Sequence, residues 1–228
     1  MTTASSPPIQ SGAWASMRPR ERPKPAKAGR GFETYEKLVN AAGELLGEIG
    51  FERLTSNAIC ARAGVTPPAF YHYFEDKYEI LEELAERLLK KQNDAFAIWL
   101  FHNGAKADRD EMATALEALF RRSFDIVAGE PGAVWTMRAL RALPQLAHMR
   151  LESQRFLTDQ LVEFARRIVP GMPAELLWYR FRIVADFGFI IDELAIEEDR
   201  IPHEALFREA ARLVQRAIEE IRHSAGLP

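Results

Sequence analysis

The stretch from Gly64 to Lys77, GVTPPAFYHYFEDK, concentrates side chains that can hydrogen-bond, stack on a flat partner and carry a positive charge. Its two prolines suit the first turn of a helix, where amide N–H groups have no partner within the helix. Thr66 is then the expected N-cap. At helical spacing Phe70 and Phe74 share one face. The pattern predicts a short helix that packs inward on one side and offers another side to a partner.

A second short helix is predicted just before this one. Thr55 and Ser56 offer an N-cap, apolar residues recur at helical spacing up to Ala63, and Gly64 ends the segment. Two short helices joined by a tight, glycine-containing turn make a helix-turn-helix pattern. In that arrangement the second helix enters the DNA major groove while the first crosses the phosphate backbone. The residues therefore point to a protein that contacts double-stranded DNA.

The two faces of the second helix would have different tasks. Phe70, Phe74 and Ile59 are expected to fix its angle from behind. The side chains expected in or beside the groove are Thr66, Pro67, Pro68, Tyr71, His72 and Tyr73.

The rest of the chain reads as helices, so the predicted fold class is all-α. An amphipathic helix spans about 33–49 and ends at Gly50, and a long helix starts at Lys77, where Asp76 and Glu79 form a variant capping box. Asn103-Gly104 ends that helix. Further amphipathic helices are predicted at about 109–128, 131–141, 144–168, 174–197 and 203–223.

Charge is distributed unevenly along the 228 residues. The net formal charge is -3, but residues 1–30 hold six basic residues against Glu21, a net charge of +5. This proline-rich segment has few large apolar residues and is predicted to be a disordered basic arm. The basic residues of the arm are Arg18, Arg20, Arg22, Lys24, Lys27 and Arg30.

Several classes of protein find no support in the sequence. The single cysteine, Cys60, excludes an intramolecular disulfide and favours a cytoplasmic chain, and no apolar run is long enough to span a membrane. The five histidines show no metal-ligand spacing, and no nucleophile, zinc or nucleotide-binding motif appears. We therefore expect no catalytic residues, no metal, no cofactor and no membrane partner.

The segment Tyr35–Leu81 resembles the DNA-binding domain of TetR/AcrR-type transcriptional regulators. The resemblance is carried by Ala41-Ala42, Gly50-Phe51, Thr55, Ile59, Ala63-Gly64-Val65, the run Phe70-Tyr71-His72-Tyr73-Phe74, and Lys77. The remaining two-thirds resembles the family only in size and helical character. Two positions depart from the family pattern: Cys60 replaces a usual small alanine, and Pro68 replaces a frequent small residue.

The resemblance implies further contacts and an activity. It places Ser56 and Asn57 near phosphates and Lys77 on a phosphate at the N-terminus of the long helix, a location that favours anions. It implies a homodimeric regulator, by default a repressor, that binds an inverted-repeat operator. Residues 31–80 carry a net charge of -4, so we expect the arm to supply charge; deleting residues 1–28 should then reduce the salt dependence of DNA affinity.

The C-terminal segment 81–228 is predicted to bind an effector and to form the dimer. Apolar stripes in 174–223 exceed what one chain needs, and the family pairs its last two helices between subunits. An apolar or aromatic effector would fit between bundle helices, with His148 or Asp186 among possible polar anchors. The candidate ligand contacts are Trp99, Phe120, Phe124, Trp135, Arg138 and Phe187.

Other functions are compatible with the same residues. A DNA-binding adaptor without an effector would share the fold, and genomic footprinting would distinguish it, because a regulator should occupy promoters. A small-molecule carrier with a vestigial DNA domain would shift no DNA. An enzymatic function would require catalytic turnover, and no motif in the sequence suggests one.

Overall fold

A computed structural model describes residues 25, 29–104, 108–224 and 226, and the described part of the chain is α-helical, which confirms the predicted fold class. The predicted basic arm, apart from its last residues Gly29 and Arg30 and the isolated Pro25, lies outside the described residues. The helices are α1 (Arg30–Arg53), α2 (Ser56–Ala63), α3 (Pro67–Tyr73), α4 (Lys77–Asn103), α5 (Arg109–Gly129), α6 (Ala133–Ala142), α7 (Ala147–Ile168), α8 (Ala174–Glu197) and α9 (His203–Ser224), with a 3-10 turn at Pro144–Leu146 before α7.

The first three helices form a small unit whose core includes Leu38, Leu46, Ile59 and Phe70, all fully buried. α1 begins three residues earlier than predicted and continues past Gly50, which kinks it with φ 74°. Gly64 ends α2 with φ 66°, a left-handed conformation that glycine adopts without the usual Cβ penalty. This residue turns the chain from α2 into α3.

The remaining helices form a bundle. α4 packs against α5 and α7, α8 packs against the same two helices, and α9 covers α5. α4 and α8 therefore face each other across the bundle interior. No helix of the described ranges combines the length and the apolar character needed to cross a bilayer.

Two contacts join the small unit to the bundle. α4 continues directly from the small unit into the bundle, and α6 packs against α1. At the second contact the backbones approach closely: a Cβ added to Gly132 would lie 2.5 Å from the carbonyl oxygen of Gly43. Glycine at 132 is therefore required by space as well as by its φ of 75°.

The apolar stripe of α9, which was predicted to contribute to a dimer interface, is mostly buried within the chain. Leu206, Ala210, Val214 and Ile221 are buried, and the first three belong to the core that α9 shares with α5. Leu213 remains exposed. Most of this stripe is therefore core within the chain, because α5 covers it.

Candidate functional site

α3 is held at its start by backbone bonds alone. The N–H groups of Ala69 and Phe70 donate to the carbonyl oxygen of Thr66, at 2.9 and 3.4 Å. Thr66 is the N-cap residue of α3, as predicted, although its side chain makes no cap hydrogen bond. The two residues that follow it are prolines without N–H groups, and the Thr66 side chain is exposed.

The inner face of α3 is packed as the sequence predicted. Phe70 and Phe74 are buried, and the Phe74 ring stacks on Tyr35 of α1 with centroids 5.1 Å apart. Ile59 of α2 is fully buried in the same core. α1 and α2 therefore fix the angle at which α3 presents its outer face.

The outer face carries most of the predicted DNA-contacting residues. Pro67, Pro68, Tyr71 and His72 are exposed. The Tyr71 hydroxyl lies 3.0 Å from Ser56 Oγ, so the structure brings together one residue predicted for the groove and one predicted for a phosphate.

Two other predicted residues of this set lie at the sides of the outer face. Asn57 is exposed at the start of α2. Tyr73 is half-buried, and its ring packs edge-on against Tyr35, with centroids 5.6 Å apart. Tyr73 therefore turns towards α1, and its place in the groove stays a prediction.

Lys77 is engaged inside the chain. Its Nζ donates to the carbonyl oxygen of Phe51 at 3.1 Å and lies 4.3 Å from the Phe51 ring centroid. An ammonium has three N–H donors, so a phosphate contact stays a prediction. We expected N–H groups at the N-terminus of α4 to bind the same phosphate as Lys77. For two of them this is wrong, because the N–H groups of Tyr78 and Glu79 donate to Asp76 Oδ1 at 2.7 and 3.1 Å.

The acidic residues of α1 also bind a basic side chain. The two guanidinium Nη atoms of Arg62 reach Glu48 at 2.9 and 2.6 Å, and Nη1 reaches Glu44 at 3.2 Å. This pairing lowers the pKa of the Glu48 carboxyl. Arg62 therefore fastens α2 to α1, and its charge is offset within the chain.

A charged network connects α1 to α4 behind α3. Arg87 binds Glu36 through both Nη atoms, at 2.9 and 2.6 Å, and Glu83 through Nε at 2.7 Å. Burial, and next a hydrogen bond with Glu83, raise the pKa of Tyr35. The Tyr35 ring also stacks on Phe74, so Tyr35 contacts both this network and the residue that ends α3.

Four of the six candidate ligand contacts lie in one region of the bundle. Phe120 is buried in a core shared by α5, α8 and α9, and Trp99, Phe124 and Phe187 pack against that core. Trp99 also borders an open groove of about 680 Å³ between α4 and α5, and its Nε1 donates to the Ala115 carbonyl at 2.7 Å. Their contact with a ligand stays a prediction.

The other two candidates are not brought to that region. Trp135 and Arg138 lie on the outer side of α6, where the guanidinium is 5.1 Å from the indole centroid and 3.4 Å from Glu197. The Trp135 ring also packs against Gly50 of α1. Both residues therefore lie on α6, the helix that packs against the small unit, and away from the other four candidate ligand contacts.

The two possible polar anchors have local partners. His148 Nδ1 lies 2.8 Å from the Gln145 carbonyl. Asp186 pairs with Arg182 at 3.0 Å and accepts a hydrogen bond from Gln154. Both therefore contribute to packing around α7.

The interior of the bundle also contains a polar cluster that was not predicted from the sequence. Asp192 of α8 is 2% exposed, and its Oδ2 accepts from Gln92 Nε2 at 2.9 Å and from Ser123 Oγ at 2.8 Å. Burial raises the pKa of Asp192 to about 7. The signal was present in the sequence, because Asp192 interrupts the apolar run Phe189–Ile191 and Leu194–Ile196.

Comparison with known proteins adds a match at the N-terminal helices. Residues 38–84 match the family model described as bacterial regulatory proteins, tetR family. The tetracycline repressor protein class C of Escherichia coli is 41% identical over 54 residues, which are 24% of this chain and 25% of that protein. The HTH-type transcriptional regulator BetI of Escherichia coli is 27% identical over 156 residues, 66% of this chain and 77% of BetI.

The matches to the first three relatives span only 25%, 31% and 44% of those proteins' own lengths. Solved structures extend the likeness in fold. A tetR-family transcriptional regulator from Streptomyces coelicolor superposes with a TM-score of 0.63 at 21% identity, covering 85% of this chain and 86% of that one. FadR from Bacillus subtilis, solved in complex with stearoyl-CoA, gives 0.59 at 18% identity, covering 80% and 98%.

Proposed function

We propose that this chain is a regulator of the TetR/AcrR type and acts as a ligand-responsive transcriptional repressor; the match at residues 38–84, the similar repressors and the shared fold support this proposal. It binds an inverted-repeat DNA operator as a homodimer and is released by a small-molecule effector. In this proposal residues 31–80 are the DNA-binding domain, residues 81–228 form the effector-binding and dimerisation domain, and the protein acts in the cytoplasm.

The observation that carries the proposal is the division of α3 into two faces. Phe70 and Phe74 are buried, whereas Pro67, Pro68, Tyr71 and His72 are exposed on one short helix. A major groove about 12 Å wide admits a single helix with such an outer face. The Ser56–Tyr71 contact would set the start of α2 beside the phosphates that flank the groove.

The dimer is supported by α8. This helix exposes Leu176, Tyr179, Ile183, Ile190 and Leu194 at spacings of three, four or seven residues, and Ile183 is 73% exposed. Such spacing places these side chains along one stripe of the helix. Contiguous apolar surface of this kind marks an interaction site. A second copy that buries the stripe would place two α3 helices for two half-sites.

The effector response would use the helices that join the two parts of the chain. α4 runs from Lys77, beside the small unit, past the Arg87 network into the bundle, and α6 packs on α1. An effector that binds one arrangement of the bundle more tightly than the other shifts the separation of the two α3 helices. A coupling of about 1–3 kcal/mol lowers operator affinity roughly 5- to 150-fold.

Genome-wide footprinting tests the proposal. Wild-type protein should occupy promoters that contain inverted repeats, and transcription from them should rise when the gene is deleted. The double variant Tyr71→Ala/His72→Ala should lose this occupancy, whereas His223→Ala, at the exposed end of α9, should keep it. Occupancy outside promoters with unchanged transcripts would favour an adaptor, and absence of occupancy would favour a carrier.

A further inference from the structure

The Asp192 cluster contains acceptors that the described side chains do not satisfy. Asp192 Oδ1 and Gln92 Oε1 are both buried and make no hydrogen bond, although Asp192 Oδ2 accepts two. A buried polar atom without a partner destabilises the fold, and more so when it is charged. Two such atoms on bonded neighbours point to a donor that is supplied from outside the chain.

The charge of the missing donor follows from the surroundings of Asp192. Its two hydrogen-bond partners, Gln92 and Ser123, are neutral, and the charged residue that acts on it, Glu193, has the same sign. A buried carboxylate is stabilised by a paired cation far more than by a neutral group. A protonated amine supplies the positive charge and at least two N–H donors together.

There is open space beside α8 one helical turn from Asp192. A Cβ added to Gly188 would meet nothing within 4 Å, and Gly188 lies four residues before Asp192, on the same face of α8. Glycine is among the least favourable residues inside a helix, so the open position lowers the stability of α8. Gly188 is itself half-buried.

The neighbours of the cluster are apolar. Trp99 lies two turns from Gln92 along one face of α4, and Phe120 lies one turn from Ser123 along one face of α5. Both pack in the core that α5 shares with α8 and α9. A ligand held at Asp192 would therefore place an apolar or aromatic body against such residues and its charged end on the carboxylate.

We infer that the space between α4, α5 and α8 binds a primary or secondary amine with an apolar or aromatic body, whose N–H groups donate to Asp192 Oδ1 and Gln92 Oε1. This inference rests on the proposed function, because it names the chemical class of the effector. It adds a cationic group to the apolar effector expected from the aromatic side chains.

Direct binding to the full-length protein without DNA tests the inference. The probes are 2-phenylethylamine, 3-phenylpropylamine and tryptamine, each matched with the carboxylic acid and the alcohol of the same carbon skeleton. Calorimetry and thermal shift should detect the amines and not their matched acids or alcohols. Failure of every amine to bind, or equal binding of the alcohols, would overturn the inference and leave water as the occupant.

Variants locate the site. Asp192→Asn keeps the shape of the side chain and should weaken amine binding at least about tenfold. Gly188→Leu should block binding by filling the space. Asp199→Asn, which removes the same charge from the exposed turn after α8, should bind amines like wild type. Wild-type affinity in Asp192→Asn would refute the assignment.

The same preparations separate this inference from the proposed function. Operator binding is measured on each variant in the absence of amine, where Asp192→Asn and Gly188→Leu should retain wild-type affinity. If the protein selects an operator but binds no amine, the amine site alone is wrong. If it selects no DNA, the proposed function fails whatever the amines do.

Discussion

Asp192 is a carboxylic acid in the bundle interior, and its titration should affect stability. Burial raises its pKa to about 7 in the folded protein, whereas an unfolded Asp titrates near its ordinary value. Between these values the folded state holds more protons than the unfolded state, so the free energy of unfolding falls as pH rises. Below both values no penalty exists, and above about pH 7 the penalty is fully present.

Asp192→Asn should remove this dependence. The free energy of unfolding of wild type, relative to that of Asp192→Asn, should decrease from about pH 4 to about pH 8, by up to roughly 4 kcal/mol. Urea denaturation of both proteins across that range measures the difference. Parallel curves for the two proteins would show that Asp192 stays ionised in the folded state.

Lys77 is expected to act both on DNA and within the chain. Lys77→Ala should lower the free energy of unfolding by about 1–2 kcal/mol, because it removes a bond to the Phe51 carbonyl and a cation–π contact. It should also reduce the slope of log K against log salt by about one. Lys90→Ala, on exposed α4 surface far along the helix from Lys77, is the control. A lower free energy of unfolding with an unchanged salt slope would show that Lys77 stabilises the fold and does not contact a phosphate.

At the level of helices, the contact between α6 and α1 makes a sharp prediction. Gly132→Ala combines a left-handed φ with a Cβ that would lie 2.5 Å from the Gly43 carbonyl oxygen. Strain and overpacking together should lower the free energy of unfolding by about 2–5 kcal/mol. Gly129→Ala, where nothing lies within 4 Å of the new Cβ, should be neutral or slightly stabilising. Equal stability of the two variants would show that α6 can move away from α1.

Helix positions could be predicted well because local signals fixed them. Asp76 caps α4 and Gly64 ends α2 as expected, and α8 spans the predicted 174–197. These features depend on a few neighbouring residues: side-chain caps, glycine conformation and apolar spacing. The inward packing of Phe70 and Phe74 could be predicted for the same reason.

The partners of side chains could not be predicted in the same way. Lys77 binds a carbonyl 26 residues earlier, and Asp192 binds Gln92 from 100 residues away. Trp135 and Arg138 share apolar or cationic character with residues of a ligand site, but α6 turns the Trp135 ring towards α1 and brings Arg138 to Glu197 at the end of α8. Such contacts depend on how helices are arranged in space, which periodicity within one helix does not determine.

For the whole molecule, the exposed stripe of α8 predicts a dimer that charge should disrupt. Ile183→Glu should give a monomer, because it places a carboxylate in the centre of an apolar interface. Operator affinity should then fall by at least tenfold, since each monomer holds one α3. Ile98→Glu, at an isoleucine of α4 that is 62% exposed, should stay dimeric. Sedimentation measures both; a monomeric wild type, or a dimeric Ile183→Glu, would refute this interface.

If α3 reads double-stranded DNA from a dimer, selection from a random DNA pool should reveal the preferred sequence. Purified full-length protein is incubated with the pool at low salt, and bound molecules are amplified and sequenced over several rounds. We expect one inverted repeat to be enriched by the wild-type protein and not by the double variant Tyr71→Ala/His72→Ala. Recovery of no preferred sequence by the wild-type protein would contradict it.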